Sequence, residues 1–216
     1  MAVMRVNPTR MELTRLKGRL RTATRGHKLL KDKNDELMKQ FLEIVRENMR
    51  KRREVEARVL EMHSAFTLAS AVMSPEGLGQ ALMLPKQSVE LELSSKNIMG
   101  VRVPDYTFRT KLDDSGSVLP YGFASTTGEL DSAVETATDL MKDLLDLAQS
   151  EKAASLLAAE IEKTRRRVNA LEYVLIPQYR ETIRYITMKL DENERGNITR
   201  LMKVKDMMIA QTREDN

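Results

Sequence analysis

Apolar residues in the first third of the chain recur in alternating steps of three and four. From Leu13 the series runs Leu16, Leu20, Ala23, His27, Leu30, Asn34, Leu37, Phe41 and Ile44, with eight of ten positions apolar. A narrow stripe of period 3.5 specifies a coiled-coil seam, not the broader face of a globular helix. The register slips near Asn48 and resumes as Val55, Val59, Met62, Phe66, Ala69 and Met73, as a stutter would produce. Thr9 followed by Glu12 makes a capping-box pattern, so a helix is expected from about Thr9 to Met73, roughly 95 Å long at 1.5 Å per residue.

The last third repeats this grammar. Leu130, Val134, Ala137, Met141 and Leu144 form one stripe. Ile183, Ile186, Leu190, Asn193, Asn197, Leu201, Val204 and Met208 form another, with one extra step of four. Pro177 should kink or break this helix near Ile176.

Between the stripes the pattern changes. Four of the six prolines and five of the nine glycines fall within residues 74–123. Val89, Leu91 and Leu93 alternate with Glu90 and Glu92. Val101 and Val103 flank Arg102, and Tyr106 and Phe108 follow on one parity. These runs predict a β-hairpin over about 88–108, with Ser94-Ser95-Lys96-Asn97 as its loop. Pro104 restricts its strand to an edge, and Asp113-Asp114-Ser115-Gly116-Ser117 is expected to be a mobile loop.

The expected fold is predominantly all-α: a long antiparallel two-helix coiled coil with a small central β-hairpin region. The segments are 1–73, 74–123 and 124–216, read as one continuous structural unit. If both termini end flush at one tip, the indices of facing residues total about 220. His27 then faces Asn193, with a hydrogen bond across the seam, and Asn34 lies near Ile186. His27, Asn34 and Asn193 are thus the candidate register-setting core residues, since a polar core position fixes register at some expense of stability. The same alignment sets Arg46, Arg50, Lys51, Arg52 and Arg53 level with Arg165, Arg166 and Arg167 as a mid-shaft basic collar.

Composition narrows the chemistry. The 216 residues are 31% charged and only 4% aromatic, which suits long solvated helices. Absence of cysteine excludes disulfides, iron–sulfur clusters and cysteine nucleophiles. His27 and His63 are too far apart in sequence to suggest a histidine-rich metal site. Phosphate-loop, dinucleotide, zinc-protease and serine-hydrolase motifs do not occur, so no catalytic, cofactor or metal residue is assigned. The longest uncharged apolar stretch, Ser64–Ser74, is about half of what a membrane span requires, so no membrane insertion is expected. Arg5, Arg10 and Arg15 interrupt any apolar leader.

Charge is polarised. Residues 1–31 hold nine Lys/Arg and one acid, whereas residues 124–151 hold seven acids and one lysine. A basic coiled-coil scaffold and a nucleic-acid-binding coiled coil both remain open at this point. The second explains the basic end but neither the acidic stretch nor the scarcity of aromatics for base stacking.

Literal sequence blocks add to this. Asn7-Pro8-Thr9-Arg10-Met11-Glu12-Leu13 and Arg25-Gly26-His27-Lys28-Leu29-Leu30-Lys31-Asp32-Lys33 resemble the N-terminal signature of the D subunit of V-type and archaeal-type rotary ATPases. Residues 162–173, Ile176-Pro177, 188–195 and 201–205 resemble its C-terminal signature. The resemblance implies a central rotor shaft whose paired terminal helices enter a hexamer of alternating A and B subunits (A3B3). A small F subunit binds its side, and a funnel-shaped subunit links it to the membrane ion-carrying rotor ring. It implies a cytoplasmic location, peripheral to the membrane, with the nucleotide sites in the hexamer. Within that frame Arg10, Arg15, Lys17, Arg19, Arg21, Arg25 and Lys28 are the candidate hexamer contacts at the tip, each an exposed charge of small net worth.

Overall fold

The computed structural model describes residues 4–112, 119–122 and 126–214. The expected loop at Asp113–Ser117 lies outside them. The order of elements is α1 (Arg10–Val72), α2 (Pro75–Leu82), β1 (Gln87–Ile98), β2 (Val101–Leu112), α3 (Gly128–Ala170), a π turn (Leu171–Leu175) and α4 (Ile176–Glu214). The fold is thus predominantly helical with one antiparallel hairpin, as the two periodicities predict. By contacts the chain divides into two units, one of residues 1–35 with 162–216 and one of residues 36–161.

In the larger unit, α1 and α3 bury three apolar clusters. Leu37 meets Leu157 and Ile161 with Val101 of the hairpin. Val55 meets Leu140 and Leu147. Ala69 meets Leu130 and Ala81 of α2, with Phe66, Leu78, Tyr121 and Val134 around them. Facing indices total about 200, not 220. The reason is local: α1 ends at Val72 and α3 begins at Gly128, so the helices are flush where the connection joins them. Asn48, at the sequence slip, donates from Nδ2 to the Ser150 carbonyl at 3.2 Å. It forms the polar cross-helix contact expected of His27 and Asn193.

The sequence pattern did not reveal α2, although its signal is present. Ser74 caps the helix by accepting from the Gly77 N–H at 3.1 Å, Pro75 begins it and Glu76 sits in its first turn.

The hairpin loop is two residues, Met99-Gly100, at φ 51° and 90°. The expected loop Ser94–Asn97 is instead strand, paired with Arg102–Asp105. A type I′ turn requires positive φ at both central positions, which Gly100 adopts without strain and residues 94–97, without a glycine, do not offer. Asn97 Oδ1 fastens the turn by accepting from the Gly100 N–H at 2.8 Å. Alternation from the closing pair Ile98–Val101 makes Ser95–Pro104 and Leu93–Tyr106 non-hydrogen-bonded pairs. Pro104 therefore sacrifices no ladder bond. The Tyr106 N–H, facing outward, donates to Gln149 Oε1 of α3 at 3.2 Å, and Gln149 Nε2 donates to Asp105 at 3.1 Å. These bonds and the burial of Val101 and Val103 anchor a ribbon that would be marginal alone.

Candidate functional site

The smaller unit pairs the first part of α1 with the end of α3, the π turn and α4. Thr9 Oγ1 accepts from the Glu12 N–H at 3.2 Å, so the expected cap forms. Arg10 reaches Glu194 at 3.5 Å and His27 Nε2 lies 3.4 Å from Glu172. His27 therefore faces Glu172, not Asn193. Asn193 is exposed, and Asn34 is half-buried. The expected bond between His27 and Asn193 does not exist because α4 is displaced by about 20 residues relative to the flush arrangement.

Residues 4–9 turn back along α4. The Met4 N–H donates to the fully buried Thr182 Oγ1 at 3.1 Å, while Arg10 lies beside Glu194. That interval of α4 is about 18 Å, which six extended residues span. Leu16 and Ile186 are buried at the same end of the unit.

Beyond Glu194 no residue of α1 remains to face α4. Ile198, Leu201, Met202, Val204, Met207, Met208 and Ile209 are all exposed, Leu201 at 68%. At 100° per residue they spread over about 220° of the circumference, interrupted by Arg200 and Lys205. A one-sided seam needs a stripe of little more than 100°. Leu201, Val204 and Met208 were expected in the seam; they are exposed, because α1 starts too late to reach them.

The seven expected tip cations separate into groups. Arg10 pairs with Glu194, and Arg15 pairs with Glu12 at 3.7 Å. Lys17, Arg21, Arg25 and Lys28 have no ion-pair partner among the described residues and fall within about 80° of arc on α1. Arg19 projects from a different side. Lys189 and Glu192 on α4 lie 2.8 Å apart. Their hydrogen bond, and then their mutual charge, raises the lysine pKa and lowers that of the carboxyl.

The residues of the expected collar are divided between the two units. Arg52 turns to Glu56 at 3.3 Å and to Glu151 of α3 at 3.8 Å, while Arg50 pairs with Glu54 and Lys51 with Glu47. Arg53 is exposed in that same unit, and Arg165, Arg166 and Arg167 belong to the other. Arg166 bonds Glu162, which raises its pKa further.

The wide turn at Leu171–Leu175 is the feature that the sequence located, through Pro177, without identifying. The Ile176 N–H donates to the Leu171 carbonyl, five residues back. Pro177 cannot donate, and in a regular helix its ring would press on the carbonyl of Tyr173. One wide turn relieves that clash, so the helix continues through the point where a kink or break was expected.

Among the described residues no group of three metal-ligating side chains converges, and no helix is long and apolar enough to cross a membrane.

Comparison with known proteins identifies the assembly. Residues 12–206 match the family model for the ATP synthase D subunit. The chain belongs to the ATP synthase D-subunit family. It is 65% identical over 211 residues to the V-type ATP synthase D subunit of Acetivibrio thermocellus, covering 98% of this chain and 95% of that one. Identity to the protein of the same name from Clostridioides difficile is 62% over 215 residues, covering 100% and 96%. To that of Clostridium botulinum it is 57% over 206 residues, covering 95% of each. Membership makes this chain a central-stalk component of a rotary ATPase.

Proposed function

We propose that this chain carries torque between the nucleotide-hydrolysing A–B hexamer and the membrane rotor ring, and performs no catalysis itself. The observation that supports this most strongly is the α4 overhang. A single helix with apolar side chains over more than half its circumference is stable in water only when something surrounds it. The inner wall of a hexamer does so; a flat partner covers one side only. Lys17, Arg21, Arg25 and Lys28 add an exposed cationic face that favours an acidic wall, with small net energy per contact. Sparse contacts of this kind let the stalk turn while favouring different subunit states at different angles.

In this reading the small F subunit lies on the side of the stalk and a funnel-shaped subunit joins its other end to the ring. The chain is peripheral to the membrane, on the cytoplasmic face. Mixing the chain, with and without the F subunit, with a purified A–B hexamer and weighing the assembly by native mass spectrometry tests this. One copy per hexamer is expected, because a three-fold ring has one axis. Three copies, or none, would overturn the axial reading in favour of a scaffold or nucleic-acid-binding role.

A further inference from the structure

Gly26 of α1 is a helix-interior glycine with open space where a Cβ would stand, and its φ is not positive. It serves neither close packing nor a left-handed turn. What it contributes is backbone freedom, at the expense of helix stability relative to alanine. The next residue, His27, faces Glu172, so Gly26 lies level with the π turn. That turn buries none of its five side chains, and Pro177 removes a backbone donor just after it. Both helices of the pair are therefore weakened at one level, α1 by the glycine and its partner by a π turn and a proline, two of the few features known to bend helices. Toward the termini the unit is firm, with Leu16, Ile176, Thr182 and Ile186 buried and the 4–9 strap bonded to Thr182. On the other side Thr164 is buried.

We propose that Gly26 and the Leu171–Leu175 turn form a torsional joint in the stalk, with His27–Glu172 as the contact that sets its stiffness. The section bearing the α4 overhang twists and bends through small angles about this level while both helices remain continuous. The His27–Glu172 contact spans the two helices at this level; it is long, at 3.4 Å, and half-exposed on the glutamate side. Loss of that contact loosens the joint; regularising either helix stiffens it. The existence of the joint does not depend on the torque reading. Its use, storing twist between successive hexamer steps, does rest on it.

The chain has no cysteine, so spin labels can be placed cleanly. Cysteines at Asp32 on α1 and Met188 on α4 bracket the joint by about 30 Å along the axis. Double electron–electron resonance on the full chain then reads the width of the distance distribution. Gly26→Ala, alone and with Pro177→Ala, should narrow it by about two-fold. His27→Ala should broaden it by a similar factor, and His27→Gln, which can still bond Glu172, should restore it. Equal widths in folded variants would overturn the joint. If the Pro177 variant fails to fold, Gly26→Ala decides alone, since alanine there meets no neighbour.

In the reassembled ATPase, Gly26→Ala should reduce the angular fluctuation of a bead on the stalled stalk. Unchanged fluctuation with a narrowed distribution would remove the spring role and leave the joint. Failure of the unsubstituted chain to take the axial position would instead be a failure of the torque reading.

Discussion

In the larger unit the α1 residues Leu37, Val55 and Ala69 lie against Leu157, Leu140 and Leu130 of α3, and three apolar clusters result. The smaller unit uses the same spacing of apolar residues and forms no such cluster among its described residues. Two of its buried side chains, Thr164 and Thr182, are polar, and seven apolar residues of α4 beyond Glu194 are exposed. The larger unit builds clusters from its stripe, while α4 beyond Glu194 leaves its stripe exposed. A periodic stripe therefore says which face of a helix wants covering, not what covers it.

Paired substitutions test this contrast most severely. Leu157→Ala empties a fully buried site and should lower the unfolding free energy by about 2–5 kcal/mol in urea titration. Leu201→Ala removes as many atoms from an exposed site, so the free chain should change by no more than about 0.5 kcal/mol. Hexamer affinity should show the reverse: about ten-fold or more weaker for Leu201→Ala, from losing an apolar contact worth some 1.4 kcal/mol. Equal effects of the two on stability would erase the distinction between the units.

A smaller effect probes how the smaller unit holds without an apolar cluster. Thr182 Oγ1 accepts from the Met4 N–H and donates to the Gln178 carbonyl at 2.7 Å. Thr182→Val keeps the shape and removes both bonds. It should cost about 1 kcal/mol and release the strap, seen as faster hydrogen exchange at Met4. Unchanged exchange there would mean that Met4 and Val6, both half-buried, hold the strap by packing alone.

These contrasts also show what the sequence could disclose. The limits of α1 were legible because Thr9, Glu12 and the seam are local signals. The slip at Asn48 was legible for the same reason, and the residue proves to be a cross-helix contact. Register was not legible. It depends on where the connection lets α1 stop and α3 start, and α2 and the turn at Met99-Gly100 shape that connection. The flush-tip assumption displaced every cross-helix partner by about 20 positions. It paired His27 with Asn193 and set level a collar of arginines, of which Arg50, Arg52 and Arg166 turn to separate acids. It also hid the overhang, although Pro8 and the Thr9 cap mark where α1 begins and α4 has no matching stop signal.

Tyr121 belongs to the larger unit and tests its closed end. Its hydroxyl donates to Asp131 at 2.8 Å, beside the Ala69–Leu130 cluster. Burial, then that hydrogen bond, then the charges of Asp131 and Glu135 raise the phenol pKa above its ordinary value near 10. The folded state thus keeps a proton that the unfolded chain gives up. This stabilisation is complete below pH 10 and is lost as pH rises through the folded pKa. Tyr121→Phe should cost about 1 kcal/mol at neutral pH. The gap to the wild type should close in strongly alkaline buffer; a gap constant to pH 12 would mean that the phenol titrates alike in the folded and unfolded states.

The smallest expected change is a gain. Gly18 sits inside α1 with open space above it, and its φ is not positive. Alanine there meets nothing and should raise stability by about 0.5–1 kcal/mol, a few degrees in melting temperature. Nothing within the chain explains the glycine, but its surroundings suggest a reason: Lys17 and Arg21 flank it on the unpaired cationic face. If a partner backbone approaches α1 closely there, Gly18→Ala will stabilise the free chain and weaken its seating in the hexamer. If stability and seating both improve, the cationic face is solvated at Gly18, and the contact belongs to the α4 overhang alone.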